Sequence, residues 1–196
     1  MEANNQGKVF EANIEKSSID QKLFFYRIKD VNPMFLKRGA GASKNKYDCF
    51  LFFKGYFFPL ELKSTKDKSI AFREEIIKAQ QIEHLKDATQ YPNIIPGFLF
   101  QFREPENKVY FVHINDFLTY KNIAEKQLKH TYKNKVNKAS IPIAICEEIG
   151  TEVCSMKKKV NYTYYLNKLC GELIKKEQSR DKPLHTYNTP VKMGVR

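Results

Sequence analysis

Asp48 and the triplet Glu61-Leu62-Lys63 are the residues of this chain whose types and spacing could do chemistry. They lie in a stretch that runs from Tyr47 to Lys63, where two apolar, aromatic-rich runs are parted by Lys54-Gly55. Such a stretch reads as a two-residue β-hairpin. With Phe53 opposite Tyr56, Asp48 falls directly opposite Glu61, and their Cβ atoms sit about 5 Å apart. Two carboxylates in that relation repel each other and destabilise the sheet unless something neutralises them, for which a divalent cation is the natural candidate. Lys63, two residues beyond Glu61, points to the same face because strand side chains alternate. The weak point of this register is Pro59, opposite Phe50, since proline cannot donate to a ladder and a bulge there would shift the pairing.

Isolated acid pairs followed by a lysine are common, and most are surface ion pairs of little consequence. Here the charges stand among Phe, Leu, Tyr and Cys, in runs that otherwise read as buried, and a buried charge needs a partner or a metal. Two carboxylates and a lysine suit phosphodiester hydrolysis. That reaction needs an activated water, stabilisation of charge on the phosphorane and help for the leaving oxygen. Asp48, Glu61 and the Leu62 backbone carbonyl offer hard oxygen ligands of the kind magnesium prefers, with manganese as the alternative. Lys63 could orient or deprotonate the water. Glu11 could reach the same site from the first helix; its plain reading is an acid favoured by a helix N-terminus.

The elements that must position these residues follow from periodicity. Residues 7–29 read as a helix carrying Val9, Phe10, Ile14, Leu23 and Phe24, with Glu11 near its start and a blemish at Ser17-Ser18. Residues 30–46 form a connection that contains Lys37, Arg38, Gly39, Gly41, Lys44 and Lys46. It lacks the order of a nucleotide-binding P-loop and could lay cations on a phosphate backbone. A second helix is expected from about Arg73 to Gln90, with Gln80 and Gln81 bordering its buried side. Strands follow at Ile95–Phe102 and Lys108–Ile114, joined by the turn-forming Glu104-Pro105-Glu106-Asn107. Asn115 or Asp116 would cap a short helix through Tyr120. Residues 140–145 read as a strand. Tyr162, Tyr165, Leu166, Leu169, Cys170, Leu173 and Ile174 make an amphipathic stripe suited to core or dimer packing. The expected fold is therefore α/β, a mixed sheet with flanking helices. Residues 1–120 form its core, residues 121–196 a lysine-rich extension partly packed on it, and a loose tail begins at about residue 178.

The 196 residues carry a net charge of +12, distributed unevenly. Residues 121–196 hold 16 Lys and Arg against 7 Asp and Glu, while residues 1–120 hold 18 against 15. A basic, aromatic-rich protein most often meets nucleic acid. Lys37, Arg38, Lys44, Lys46, Ser64, Thr65, Lys66, Lys68, Lys157, Lys158 and Lys159 are the candidate DNA contacts. No run of about 18 apolar residues predicts a membrane span, and the N-terminus has no hydrophobic signal region. The four scattered cysteines, without a CxxC pair, fit free thiols in a reducing cytoplasm better than disulfides or zinc.

Several linked motifs then point to a family. Gly7-Lys8-Val9-Phe10-Glu11, Asp48 with Glu61-Leu62-Lys63-Ser64-Thr65-Lys66, and Gln81-Ile82-Glu83-His84 resemble the PD-(D/E)xK nuclease superfamily. More narrowly, they resemble the RecU-type Holliday junction resolvases, over roughly residues 7–120. The resemblance implies a restriction-endonuclease-like core. In it Asp48 and Glu61 bind metal, Lys63 serves the water, Glu11 supports the site and Gln81 positions groups beside it. It also implies a homodimer that cuts symmetric strands of branched double-stranded DNA. The family's longer insertion between first helix and hairpin is reduced here to about residues 30–46, and Gln80-Gln81 stands where the family often has His-Gln. The alternatives are a restriction-like or repair nuclease on another DNA structure and a catalytically silent DNA-binding protein.

Overall fold

The computed structural model describes residues 3–28 and 45–180. Helix α1 (Ala3–Asp20) leads into β1 (Phe24–Arg27), then the hairpin β2 (Cys49–Phe53) and β3 (Tyr56–Thr65), and a short β4 (Ser69–Ala71). Helix α2 (Ala79–Ala88) connects to β5 (Gly97–Phe102) and β6 (Lys108–His113). The remainder is α3 (Ile114–Lys126), β7 (Ser140–Pro142), α4 (Ile143–Ile149), β8 (Thr151–Glu152), β9 (Ser155–Lys157), β10 (Tyr162–Tyr164) and α5 (Leu166–Arg180).

The main sheet has the order β1-β2-β3-β5-β6-β8, with β3 and β5 parallel and the other neighbours antiparallel. Helix α2 makes the crossover that a parallel pair requires. One face of the sheet packs Leu51, Phe58, Leu60, Leu99 and Phe111 against Phe10 and Ile14 of α1 and Leu169 and Leu173 of α5. The other packs Phe98, Phe100, Phe102, Tyr110 and Val112 against Leu85, Phe117, Tyr120 and Ile145 from α2, α3 and α4. The expected α/β class holds: a mixed sheet with helices packed on both faces.

The hairpin register is the expected one. Phe53 pairs with Tyr56 and Cys49 with Leu60, and Pro59 sits opposite Phe50 without a bulge. Lys54 and Gly55 both have positive φ, 49° and 80°, the primed turn that matches strand twist. Where β5 begins, Gly97 is required sterically. A Cβ there would come within 2.5 Å of the Val112 carbonyl and 2.6 Å of the Phe111 ring.

Four local expectations are corrected. The helix drawn over 7–29 ends at Asp20, because Lys22 turns left-handed (φ 53°) and Leu23 bonds back to Ser18 O at 2.9 Å; the next residues become β1. The helix drawn over 73–90 begins only at Ala79, after a turn in which Ile77 N bonds Arg73 O. His113, not Asn115 or Asp116, caps α3: its Nδ1 accepts from Asn115 N at 3.2 Å. Burial and nearby Arg180 push its pKa down to about 4, which keeps that nitrogen an acceptor. The strand drawn over 140–145 stops at Pro142, and Ile143 starts α4.

Residues beyond 121 are built into both cores. Strand β8 extends the main sheet beside β6, and Tyr164 packs edge-on against Phe10 at 5.6 Å. Leu166, Leu169, Cys170, Leu173 and Ile174 are buried against this chain's own sheet, so of the two roles expected for the α5 stripe, core or dimer packing, it takes the core. Helix α5 runs to Arg180, past the expected start of the tail. All four cysteines are free, and Cys49, Cys146 and Cys170 are buried. Among the described residues no helix is long and apolar enough to cross a membrane.

Candidate active site

The two carboxylates meet where β2 begins. Asp48 lies one residue before β2, its N–H bonding the Leu60 carbonyl at 3.1 Å, and its Oδ2 accepts the Leu62 N–H at 2.8 Å. Glu61 is almost wholly buried, at 1% exposure. Its Oε2 accepts from Lys63 Nζ at 3.3 Å and from Gln81 Nε2. The Asp48 carboxyl adjoins Glu61 closely enough to disfavour its ionised form. Burial first, and the Asp48 charge second, push the Glu61 carboxyl up to about 8.

Gln81 is oriented at both ends of its amide. Oε1 accepts the Lys78 N–H at 3.2 Å, at the start of α2, while Nε2 donates to Glu61. The helix N-terminus and the Glu61 carboxylate are thereby tied to each other. Glu11 comes from the opposite layer and lies in the middle of α1, not near its start. Its carboxylate pairs with Arg27 of β1. Burial holds it above the ordinary carboxylate range, with the Arg27 guanidinium opposing.

Glu11, Arg27, Tyr47, Asp48, Glu61 and Gln81 line one open cavity of about 220 Å³, with Lys78 and His84 closing its α2 side. Four of the five expected catalytic residues therefore line one cavity, and Lys63 reaches it through Glu61. Among the described residues no group of three or more His, Cys, Asp or Glu side chains is drawn together as a metal cage. The donor set nonetheless fits a hard cation. It consists of two carboxylates, Glu61 buried and Asp48 beside it, with burial first and the Asp48 charge second disfavouring the ionised form of Glu61. The peptide groups of a strand residue point to one side, so the Leu62 carbonyl lies on the Asp48 side with its N–H.

Arg27, Lys78, Tyr47 and His84 are cavity residues that sequence reasoning did not assign. Tyr47 adjoins Asp48, and its hydroxyl donates to the His84 carbonyl at 3.1 Å. His84 Nδ1 is buried with no hydrogen-bond partner. Its position three residues after Gln81 on α2 was the available signal, since that spacing places both on one helical face.

The expected DNA contacts are dispersed. Lys37, Arg38 and Lys44 lie outside the described residues; Lys46 is exposed beside the cavity. Ser64 is engaged inward, donating to Gln101 Oε1 at 2.6 Å and accepting from Arg103 at 3.0 Å. Thr65 Oγ1 accepts the Asp67 N–H at 3.0 Å, Lys66 is 3.6 Å from Glu104 on the surface, and Lys68 is exposed. Lys157, Lys158 and Lys159 are exposed at the end of the β9–β10 hairpin, next to Val160 at 85% exposure. Neutralising these three lysines together should flatten the salt dependence of DNA binding, by a log–log slope of up to about 0.9 per phosphate released. An unchanged slope in a titration of affinity against salt removes this hairpin from the DNA footprint.

No family model matches the chain. It belongs to one family with the SPbeta prophage-derived uncharacterized protein YotM of Bacillus subtilis (strain 168). The two are 91% identical over 195 residues, covering 100% of each chain. Among solved structures it is similar to the Archaeoglobus fulgidus Hjc, a Holliday junction resolvase from an archaeal hyperthermophile. That match has 16% identity and a TM-score of 0.46, and covers 74% of this chain and 95% of the other.

Proposed function

We propose that the protein is a metal-dependent endodeoxyribonuclease that hydrolyses phosphodiester bonds in branched double-stranded DNA, most simply as a Holliday junction resolvase. The observation that carries the reading is the carboxyl pair of half-buried Asp48 and buried Glu61 at the base of one hairpin, with Lys63 and Gln81 on the same Glu61 oxygen. A silent DNA-binding protein has no use for a buried acid set beside a second one, because burying it costs stability.

Asp48, Glu61 and the Leu62 carbonyl would hold Mg²⁺ or Mn²⁺, with Glu11 supporting the site from α1. When bound, the ion supplies positive charge against the charge that develops on the phosphate. Gln81 holds the Glu61 carboxylate in its rotamer, and Lys63 orients the attacking water or takes its proton. Arg27 fixes Glu11 at the cavity mouth. The net charge of +12 gives affinity for DNA without regard to sequence. The same residues fit action in the cytoplasm of a bacterium or of a phage-infected cell.

A four-way junction is two-fold symmetric and needs two paired nicks, whereas this chain has one acid pair. A homodimer supplies two sites with matching symmetry. With the α5 stripe buried, the solvent side of α1, which exposes Val9 and Ile19, offers apolar surface for this contact. Sedimentation equilibrium at micromolar protein, with and without junction DNA, should show a dimer. In parallel, a gel assay with magnesium should show four-way junction cut in preference to fork and linear duplex. A monomer under both conditions, or equal cutting of linear duplex, sinks the resolvase reading and leaves a restriction-like or repair nuclease.

A further inference from the structure

Beside the acid pair, the outer end of the main sheet presents an uncovered aromatic face. Side chains of β1 and β2 alternate, and the pairs Phe24–Phe52 and Tyr26–Phe50 stand opposite each other on one face. Phe24 is 59% exposed, Tyr26 56% and Phe52 44%. Phe50 is the hub: its ring lies nearly parallel to Tyr26 (5.9 Å, 13°) and contacts Phe57 at 4.9 Å and Tyr47 at 6.1 Å. Tyr47 in turn lines the catalytic cavity and packs against His84. The rings thus form a continuous path from the sheet edge to the acid pair. Contiguous exposed apolar patches of this kind mark interaction surfaces.

The geometry relates the patch to the site. Phe50 stands opposite Pro59 and Phe52 opposite Phe57, while Asp48 and Glu61 flank the Cys49–Leu60 pair, so by alternation all lie toward one face of the hairpin. Phe50 and Phe52 then lie about 7 and 14 Å from Asp48 along the strand. A DNA strand leaving the cavity along β2 would meet a ring at each such step.

We propose that Phe24, Tyr26, Phe50 and Phe52 form a stacking platform for unpaired bases of a DNA strand that passes through the Asp48–Glu61 site. The proposal deepens the nuclease reading and rests on it for the direction of the strand. Charge decides the occupant. Among the described residues of 21–60 the charged side chains are Lys22, Arg27, Lys46 and Lys54 against Asp48 alone. A second copy of the chain would bring the same positive charge against this surface, whereas a polyanion is complementary to it. Strand β1 is also only four residues long, too short an edge to pair strongly with another copy. Base–aromatic stacking tolerates any sequence, because every base has a π-face. It would let the protein recognise the unpaired bases at a branch.

The test compares fluorescence anisotropy for an oligothymidylate and for an abasic sugar–phosphate strand of equal length, both in chelator so that nothing is cut. The wild-type protein should prefer the base-bearing strand by about tenfold or more. Tyr26→Ala/Phe52→Ala should abolish that preference while keeping affinity for the abasic strand and the salt slope. Tyr26→Phe/Phe52→Tyr should retain it, which separates lost stacking from lost folding. Equal wild-type affinity for the two strands overturns the proposal. So does an alanine variant that keeps the preference, or one that merely turns a sedimenting dimer into monomer with the preference intact, which assigns the face to a second copy. Cleavage is measured separately with magnesium. A protein that shows the preference and cuts nothing leaves the platform standing and removes the nuclease reading.

Discussion

On the proposed nuclease reading, Asp48→Ala and Glu61→Ala should each reduce cleavage of branched DNA by about a thousandfold or more, the loss expected when several kcal/mol of transition-state stabilisation disappear. Both variants bind DNA as well as the wild type or more tightly, since affinity comes from the basic surface and each change removes a negative charge near phosphate. Asp48→Ala also removes the acceptor for the Leu62 N–H, and Glu61→Ala removes the acceptor for Gln81 and Lys63. Glu61→Gln, which keeps shape but not charge, is therefore the cleaner companion. Lys63→Ala loses the chemical step while retaining metal binding, which places the lysine on the water and not on the ion. Single-turnover cleavage of a labelled junction, alongside a binding titration in chelator, separates these effects. Wild-type-like nicking by Asp48→Ala in magnesium refutes the metal-site assignment.

How much of this was legible in the sequence depended on the range of the interactions involved. The hairpin was legible because a lysine–glycine turn and two continuous apolar runs determine its register locally, and Asp48 and Glu61 come with it. Strand β1 was not, because a stretch as short as Leu23–Arg27 satisfies a helical repeat as easily as an alternating one. With it went Arg27, the partner that holds Glu11. The Ser17-Ser18 blemish has a non-local cause. Ser17 Oγ donates to the Asn13 carbonyl and accepts the N–H of Tyr164, far along the chain. Ser64 looked like a DNA contact by adjacency to Lys63. Its actual partner, Gln101, arrives through the parallel β3–β5 pairing, which no local pattern announces. The stripe of α5 was legible as amphipathic, but periodicity alone does not say whether its cover is this chain or another.

The Glu61 carboxyl makes the metal-free protein and its metal complex respond oppositely to pH. Its folded-state pKa is raised to about 8 from 4.5. A carboxyl raised on folding is protonated in both states below about 4.5 and imposes no penalty there. As pH climbs from that value towards 8, the unfolded chain loses this proton while the folded protein keeps it on a buried group beside Asp48. Stability then falls, by on the order of a few kcal/mol in all. A divalent ion requires the ionised carboxylate, so its binding releases a proton and strengthens across the same window. Thermal melts without metal should therefore fall from about pH 6.5 to pH 9, above the window in which His113, held neutral on folding, acts in the opposite sense. The rise in Tm on adding magnesium or manganese should be small at pH 6 and large at pH 9. Glu61→Gln removes the titrating group: its metal-free Tm should be nearly flat over that range, and added metal should shift it little at either pH. A metal-induced shift equal at pH 6 and pH 9, or one that survives Glu61→Gln, would place the ion away from this carboxyl pair.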